Sequence, residues 1–221
     1  MMDAENLRKI YNARFQQKTS AWTTSDQRKT RITINNVMTW LKKAGLTEKN
    51  PAMLDVGCAD GNYTEAFRLH GCSCTGLDYS EVIIEQAKKK YPNCSFIHMN
   101  GFEPSLQSSY DIIFCRGFSG FNTHDLKFIA TWANKYIKHL NSGGFFVLGS
   151  MSDFSGVETK LEIVNHTHAE LKQLIPQLHA RYIGIYYFYF FGWLSMIKKK
   201  IQQKLSGKKI KQEYYLIFRN A

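Results

Sequence analysis

Between positions 52 and 150 the chain alternates two hydrophobic patterns. Five segments, 52–56, 72–78, 95–99, 110–117 and 145–150, are short, mostly apolar and bounded by turn residues, the pattern of strands buried on both faces of a sheet. Between them apolar residues return at helical spacing. Tyr63, Ala66 and Phe67 precede a stop at Gly71, and Ile83, Ile84 and Ala87 lie between a capping Ser80 and the terminating Tyr91-Pro92. Ile129, Trp132, Ala133, Tyr136, Ile137 and Leu140 follow Leu126 on a single stripe. Five strands alternating with four helices predict an α/β domain with a largely parallel sheet and helices on both faces.

The flanks are less regular. Residues 4–17 place Leu7, Ile10, Tyr11 and Phe15 near helical spacing; a second helix follows a Thr23 cap, carries Ile34, Val37, Met38 and Leu41, and stops at Gly45. After position 150 we expect a loop with a short helix over 151–164, then a Thr167/Glu170 capping box opening a helix that Pro176 ends. An aromatic run at 181–193 reads as a buried strand and 213–219 as the last strand. One domain results, with a helical cover over 1–48, a core over 49–150 and a variable region over 151–221.

A chain of 221 residues suits one α/β domain with a full core, and a polar start without a hydrophobic signal core points to the cytoplasm. Five cysteines without a C-x-x-C pair and seven scattered histidines argue for reduced, buried thiols and against a metal site. Lys88-Lys89-Lys90 reads as a solvated cationic helix end. The net charge of +11 is concentrated: Lys198, Lys199, Lys200, Lys204, Lys208, Lys209 and Lys211 have no acid among them and leave +4 for the rest. With Leu194, Ile197, Ile201 and Leu205 on one stripe, this segment predicts a basic amphipathic helix. A solvated outer face, contact with an anionic membrane or substrate, and nucleic-acid binding are its three readings.

Candidate chemistry gathers where the first strand ends. Met53-Leu54-Asp55-Val56-Gly57-Cys58-Ala59-Asp60-Gly61-Asn62-Tyr63 passes from strand through a tight turn into a helix. Gly57 and Gly61 permit positive φ and let a ligand lie against bare backbone, Ala59 adds only a methyl group, and the first helical N–H groups favour an anionic group. The second strand ends at Asp78, 17 positions past Gly61, the distance expected of a carboxylate that holds two ribose hydroxyls. A nicotinamide-dinucleotide turn would read G-x-G-x-x-G, whereas the small residues here fall as Gly57-x-Ala59-x-Gly61 behind Asp55.

This order, D-x-G-x-A-x-G followed by a strand-end acid, resembles the class I S-adenosylmethionine-dependent methyltransferases of the small single-domain type. The resemblance implies a Rossmann-like, doubly wound, mostly parallel seven-stranded sheet whose last strand runs antiparallel beside the fifth. It implies S-adenosylmethionine bound over Asp55, Gly57, Cys58, Ala59 and Gly61, with the ribose on Asp78 beside Tyr79. Asn100 stands where the family usually has Asp, and its side-chain oxygen is able to accept from the adenine amine. The N–H of Gly101 or Phe102 would meet an adenine ring nitrogen, with Phe102 against the ring. Arg116 and Gly117 would face the methionine end, and the loop Phe118-Ser119-Gly120-Phe121-Asn122 would border the methyl group. Tyr11, Arg14, Phe15 and Trp22 would form a lid or pack on the sheet.

The expected activity is methyl transfer to an oxygen or nitrogen atom of a small-molecule, glycan-linked or lipid-linked acceptor. A hydroxyl acceptor needs a base. His124, His166 and His168 follow the fourth and fifth strands, and His166 is the favoured catalytic residue, its other reading being to orient the capping box at Thr167. The Asn/Asp-Pro-Pro-Tyr/Phe tetrapeptide of members that methylate base amines does not occur. RNA methylation through the C-terminal lysines and a noncatalytic cofactor-binding module are the competing readings.

Overall fold

The computed structural model describes residues 27–152, 164, 166–187 and 212–221. The helix expected over 4–17, the lid candidates Tyr11, Arg14, Phe15 and Trp22, and the lysine-rich segment lie outside these residues.

Helix α1 (Gln27–Lys43) buries Ile34, Val37, Met38 and Leu41 along its predicted stripe. Strand β1 (Ala52–Val56) leads to α2 (Asn62–Leu69), β2 (Ser73–Asp78), α3 (Glu81–Lys90) and β3 (Ser95–His98). Ser80 caps α3, its side chain accepting the Ile83 N–H. Strand β4 (Tyr110–Arg116) is followed by a short 3-10 turn (Ser119–Phe121), α4 (Leu126–Ile137) and β5 (Leu140–Ser152). The described chain closes with α5 (His168–Leu174), β6 (Arg181–Tyr187) and β7 (Gln212–Arg219). The capping box at Thr167 and Glu170 forms as expected.

The seven strands make one sheet in the order β3-β2-β1-β4-β5-β7-β6. Neighbours from β3 to β5 pair in parallel, and β7 runs antiparallel to both β5 and β6. Alternate residues of the buried strands feed two cores. Leu54, Ile113, Phe146 and Leu216 pack with Trp132 and Tyr136 of α4, while Met53, Phe114, Val147 and Tyr215 pack with α1 and α2. Both faces are covered, which is why these strands read as continuous apolar runs.

Four expectations change. Three α-helices, not four, lie within 52–150, because the β3–β4 connection contains no helix. α4 ends at Ile137 and β5 starts at Leu140 rather than 145, since Tyr110 pairs with Leu140 across an irregularity in the β4–β5 ladder. β5 also runs on to Ser152, into the expected loop. The described part of the aromatic run, β6, is half-exposed instead of buried because, among the described strands, it lies at the sheet's edge and pairs with β7 alone.

The topology brings the ends of β1, β2, β3, β4 and β5 and the start of β7 to one edge. In open α/β sheets this carboxyl edge is where ligands bind.

Candidate functional site

The turn after β1 is built from left-handed residues. Gly57 (φ 73°), Ala59 (φ 47°) and Gly61 (φ 78°) all have positive φ. A side chain on Gly57 would lie 3.2 Å from the Phe118 ring, and one on Gly61 would lie 2.7 Å from Phe96. Ala59 alone bears a Cβ there, a conformation that costs roughly 1–2 kcal/mol for an L-residue. It is held by a specific bond: the Ala59 N–H donates to Asp78 Oδ2 at 3.0 Å. The N–H groups of Gly57 and Cys58 both donate to the Leu77 carbonyl, so the turn is tied to β2 throughout.

Asp78 ends β2, and its other oxygen accepts the Ser80 N–H at 3.0 Å. Burial raises its pKa, and the backbone donors Ser80 and Ala59 oppose that rise. Asp55 is buried inside β1 and accepts the Thr64 hydroxyl at 2.7 Å, which fixes the first turn of α2. Burial, with a smaller push from Asp78, raises its pKa to about 7 against the pull of Thr64 and Arg116. Cys58 is buried, its thiol pushed up by burial and by Asp78 and Asp55.

Behind the turn, Lys90 donates to Asp60 and to Asn62, each at 2.9 Å, and the Tyr91 hydroxyl donates to Asn62 at 2.6 Å. Lys90 is therefore a strut between the end of α3 and the start of α2, while its side chain stays 39% exposed, as expected of a solvated helix end. Sequence reading missed it because the acid it meets lies 30 positions away.

The third and fourth loops complete the edge. His98 donates to the Tyr79 carbonyl at 3.0 Å, which steadies the residue after Asp78. Asn100 Oδ1 accepts the Phe102 N–H at 3.0 Å. That N–H is spent within its own turn. α4 anchors the same turn: the Tyr136 hydroxyl donates to the Gly101 carbonyl at 2.7 Å and Lys135 to that of Phe102 at 3.1 Å. Phe118, in the loop expected to border the transferred methyl, is buried, its ring 5.1 Å from those of Phe102 and Trp132.

Arg116 ends β4 and Gly117 follows it, its N–H donating to the Gly149 carbonyl at 3.1 Å. Arg116 Nε donates to Glu213 Oε1 at 2.7 Å and to the Tyr215 hydroxyl at 3.2 Å. Its guanidinium lies 4.8 Å from the Tyr63 ring centre. Burial works against both charges, yet the pair prevails: Tyr215 and Glu213 push Arg116 up, and Arg116 holds Glu213 below the usual carboxylate range. Sequence reading missed Glu213. Its signal was an acid at the mouth of an otherwise apolar last strand, on the edge to which an antiparallel strand delivers its first residue.

A rim of imidazoles lies beyond β4. His166 is fully buried, donates from Nε2 to the Thr123 carbonyl at 2.9 Å, and sits 4.6 Å from the Phe121 ring centre. Burial lowers its pKa, which keeps it neutral. His124 Nδ1 lies 2.5 Å from Glu170 Oε1, and its side chain is 46% exposed. His168 meets the Tyr187 hydroxyl at 2.6 Å. Among the described residues no group of His, Cys, Asp and Glu could hold a metal ion, and no helix is long and apolar enough to cross a membrane.

Residues 53–144 match a family model described as a methyltransferase domain. The fold is similar to that of magnesium protoporphyrin IX methyltransferase from Synechocystis with bound SAM, at TM-score 0.68 and 13% identity over 100% of this chain and 99% of that one. It is also similar to an N-methyltransferase from Bradyrhizobium japonicum, at TM-score 0.56 and 16% identity over 84% of this chain and 95% of that one. A third likeness is to an S-adenosylmethionine-dependent methyltransferase from Clostridium acetobutylicum, at TM-score 0.64 and 12% identity over 98% of each chain. No curated protein sequence gives a significant match.

Proposed function

We propose that this chain is a class I S-adenosylmethionine-dependent methyltransferase that methylates an oxygen or nitrogen atom of a small-molecule, glycan-linked or lipid-linked acceptor. The observation that carries the reading is the joint between Asp78 and Ala59, in which a strand-end carboxylate and a left-handed turn are locked together.

The residues present fit the cofactor. Asp78 offers its carboxylate to the ribose diol, and the turn 57–61 presents backbone with no side chain larger than those of Cys58 and Asp60, both of which are buried. Tyr79 and Phe102 flank the adenine, Asn100 Oδ1 keeps a lone pair for the amine, and the Gly101 N–H meets a ring nitrogen. Asp55 and Arg116 serve the amino-acid end, beside Gly117. When bound, S-adenosylmethionine supplies an electrophilic methyl group. The protein's work is then to hold the acceptor atom in line with it, and such orientation alone is worth roughly 7–11 kcal/mol of barrier.

The small-molecule reading draws on the relatives, which include a porphyrin methyltransferase and an N-methyltransferase. The lipid-linked reading draws on the seven lysines between Lys198 and Lys211, which would attract an anionic surface from a cytoplasmic enzyme. A hydroxyl acceptor also requires a base, and His166 and His124, which follow β5 and β4, are the candidates.

The test is transfer of labelled methyl from S-adenosylmethionine to separated small-molecule, lipid, glycan and RNA fractions. Label in the small-molecule, lipid or glycan fractions is expected. Label in RNA alone would reassign the acceptor, and cofactor binding with no turnover in any fraction would leave a noncatalytic module.

A further inference from the structure

The ion pair between Arg116 and Glu213 joins residues 97 positions apart across a strand that lies between them. β5 separates β4 from β7, and Gly149 is registered opposite both Arg116 and Tyr215. A Cβ at Gly149 would sit 2.6 Å from Tyr215 Cε1 and 3.3 Å from Arg116 Cγ. Glycine therefore opens a lane over β5, along which the Arg116 side chain reaches Glu213.

The contacts made there are selective. The bonds to Glu213 and Tyr215 use Nε, and Tyr63 takes one face of the guanidinium. None of them uses Nη1 or Nη2. Those two nitrogens form the planar fork that suits a carboxylate, and the side chain keeps 20% of its exposure. Lys29 Nζ lies 3.4 Å from the other Glu213 oxygen.

Position identifies the carboxylate. Asp78 is at the end of β2 and Arg116 at the end of β4, on opposite sides of β1. Two strand spacings, about 10 Å, separate those ends. A ligand with its ribose at Asp78 that crosses the turn after β1 arrives beside Arg116 with its far end. Tyr63, under the guanidinium, belongs to the helix whose first N–H groups also favour negative charge there.

We propose that Glu213 is a positioning residue for the cofactor: it holds Arg116 so that Nη1 and Nη2 receive the carboxylate of the amino-acid end of S-adenosylmethionine. The proposal rests on the cofactor reading above. Calorimetry on the full chain tests it with two probes, S-adenosylhomocysteine and 5′-methylthioadenosine, which shares the adenine and ribose but lacks the amino acid. Glu213→Gln and Arg116→Gln are each expected to weaken S-adenosylhomocysteine by about tenfold or more while changing methylthioadenosine by less than about twofold. Tyr215→Phe, which keeps its ring in the core, should give a smaller loss of the same selectivity. An equal loss for both probes would make the cluster merely structural, and an unchanged affinity for S-adenosylhomocysteine would remove Glu213 from the site; either result overturns the proposal. A parent protein that binds neither probe overturns the cofactor reading, and this proposal with it.

Discussion

Asp78 accepts the backbone N–H of Ala59 at 3.0 Å, so the acid that ends β2 holds the turn that ends β1. One carboxylate thus supports a left-handed alanine and, in the proposed function, also receives the ribose. Asp78→Ala should weaken S-adenosylmethionine binding about tenfold or more, by calorimetry. It should also lower stability by roughly 1.5–3 kcal/mol in denaturant unfolding, the usual loss of hydrogen bonds to a charged group. Full affinity in this variant would take the ribose away from Asp78.

Gly57 is constrained twice, by a φ of 73° and by the Phe118 ring 3.2 Å from where a Cβ would stand. Gly57→Val adds a β-branched side chain to a backbone conformation it strongly resists. We expect no measurable cofactor binding and a lower melting temperature, with Gly57→Ala intermediate in both. A Val variant that binds like the parent would mean that the ligand does not cross this turn.

The parts of this molecule legible in the sequence are those set by local chemistry. The turn 57–61, the strand-end Asp78, the Ser80 cap and the Thr167/Glu170 box each declare themselves within a few residues, and all four appear where expected. Relationships set by register were not legible. Nothing local says that Gly149 clears a path between Arg116 and Glu213, or that Lys90 reaches back to Asp60. Edge position was equally hidden: β6 has the composition of a buried strand, yet among the described strands only β7 pairs with it, and its aromatic residues remain half-exposed.

The two histidines that follow β4 and β5, His124 and His166, make different demands on a mutant. His166 is buried with Nε2 committed to the Thr123 carbonyl, so acting as a base would disturb a packed contact. His124 is half-exposed and backed by Glu170, an arrangement that orients an imidazole. With a hydroxyl acceptor, His124→Gln is expected to lower kcat by about 100-fold or more without changing cofactor affinity. His166→Asn is expected to act first on stability, measured by thermal unfolding. A collapse of kcat in a His166→Asn protein that melts like the parent would assign the base to His166 instead.

Asp55 should give this fold a measurable pH dependence. Burial raises its pKa from an ordinary 3.8 to about 7, Asp78 adds to the rise, and Thr64 and Arg116 oppose it. Between those two values the folded protein holds a proton that the unfolded chain has released. Stability therefore falls as pH rises from about 4 to about 7, and is flat with respect to this group outside that window. Asp55→Asn keeps an acceptor oxygen for the Thr64 hydroxyl but cannot ionise, so its unfolding free energy should lose most of that slope and exceed the parent's above about pH 7. Asp78 shifts in the same direction, and a shallow residual slope in the variant belongs to it. Denaturant unfolding of both proteins at pH 5 and pH 8 decides the matter; parallel curves at the two pH values would mean that Asp55 is ionised throughout.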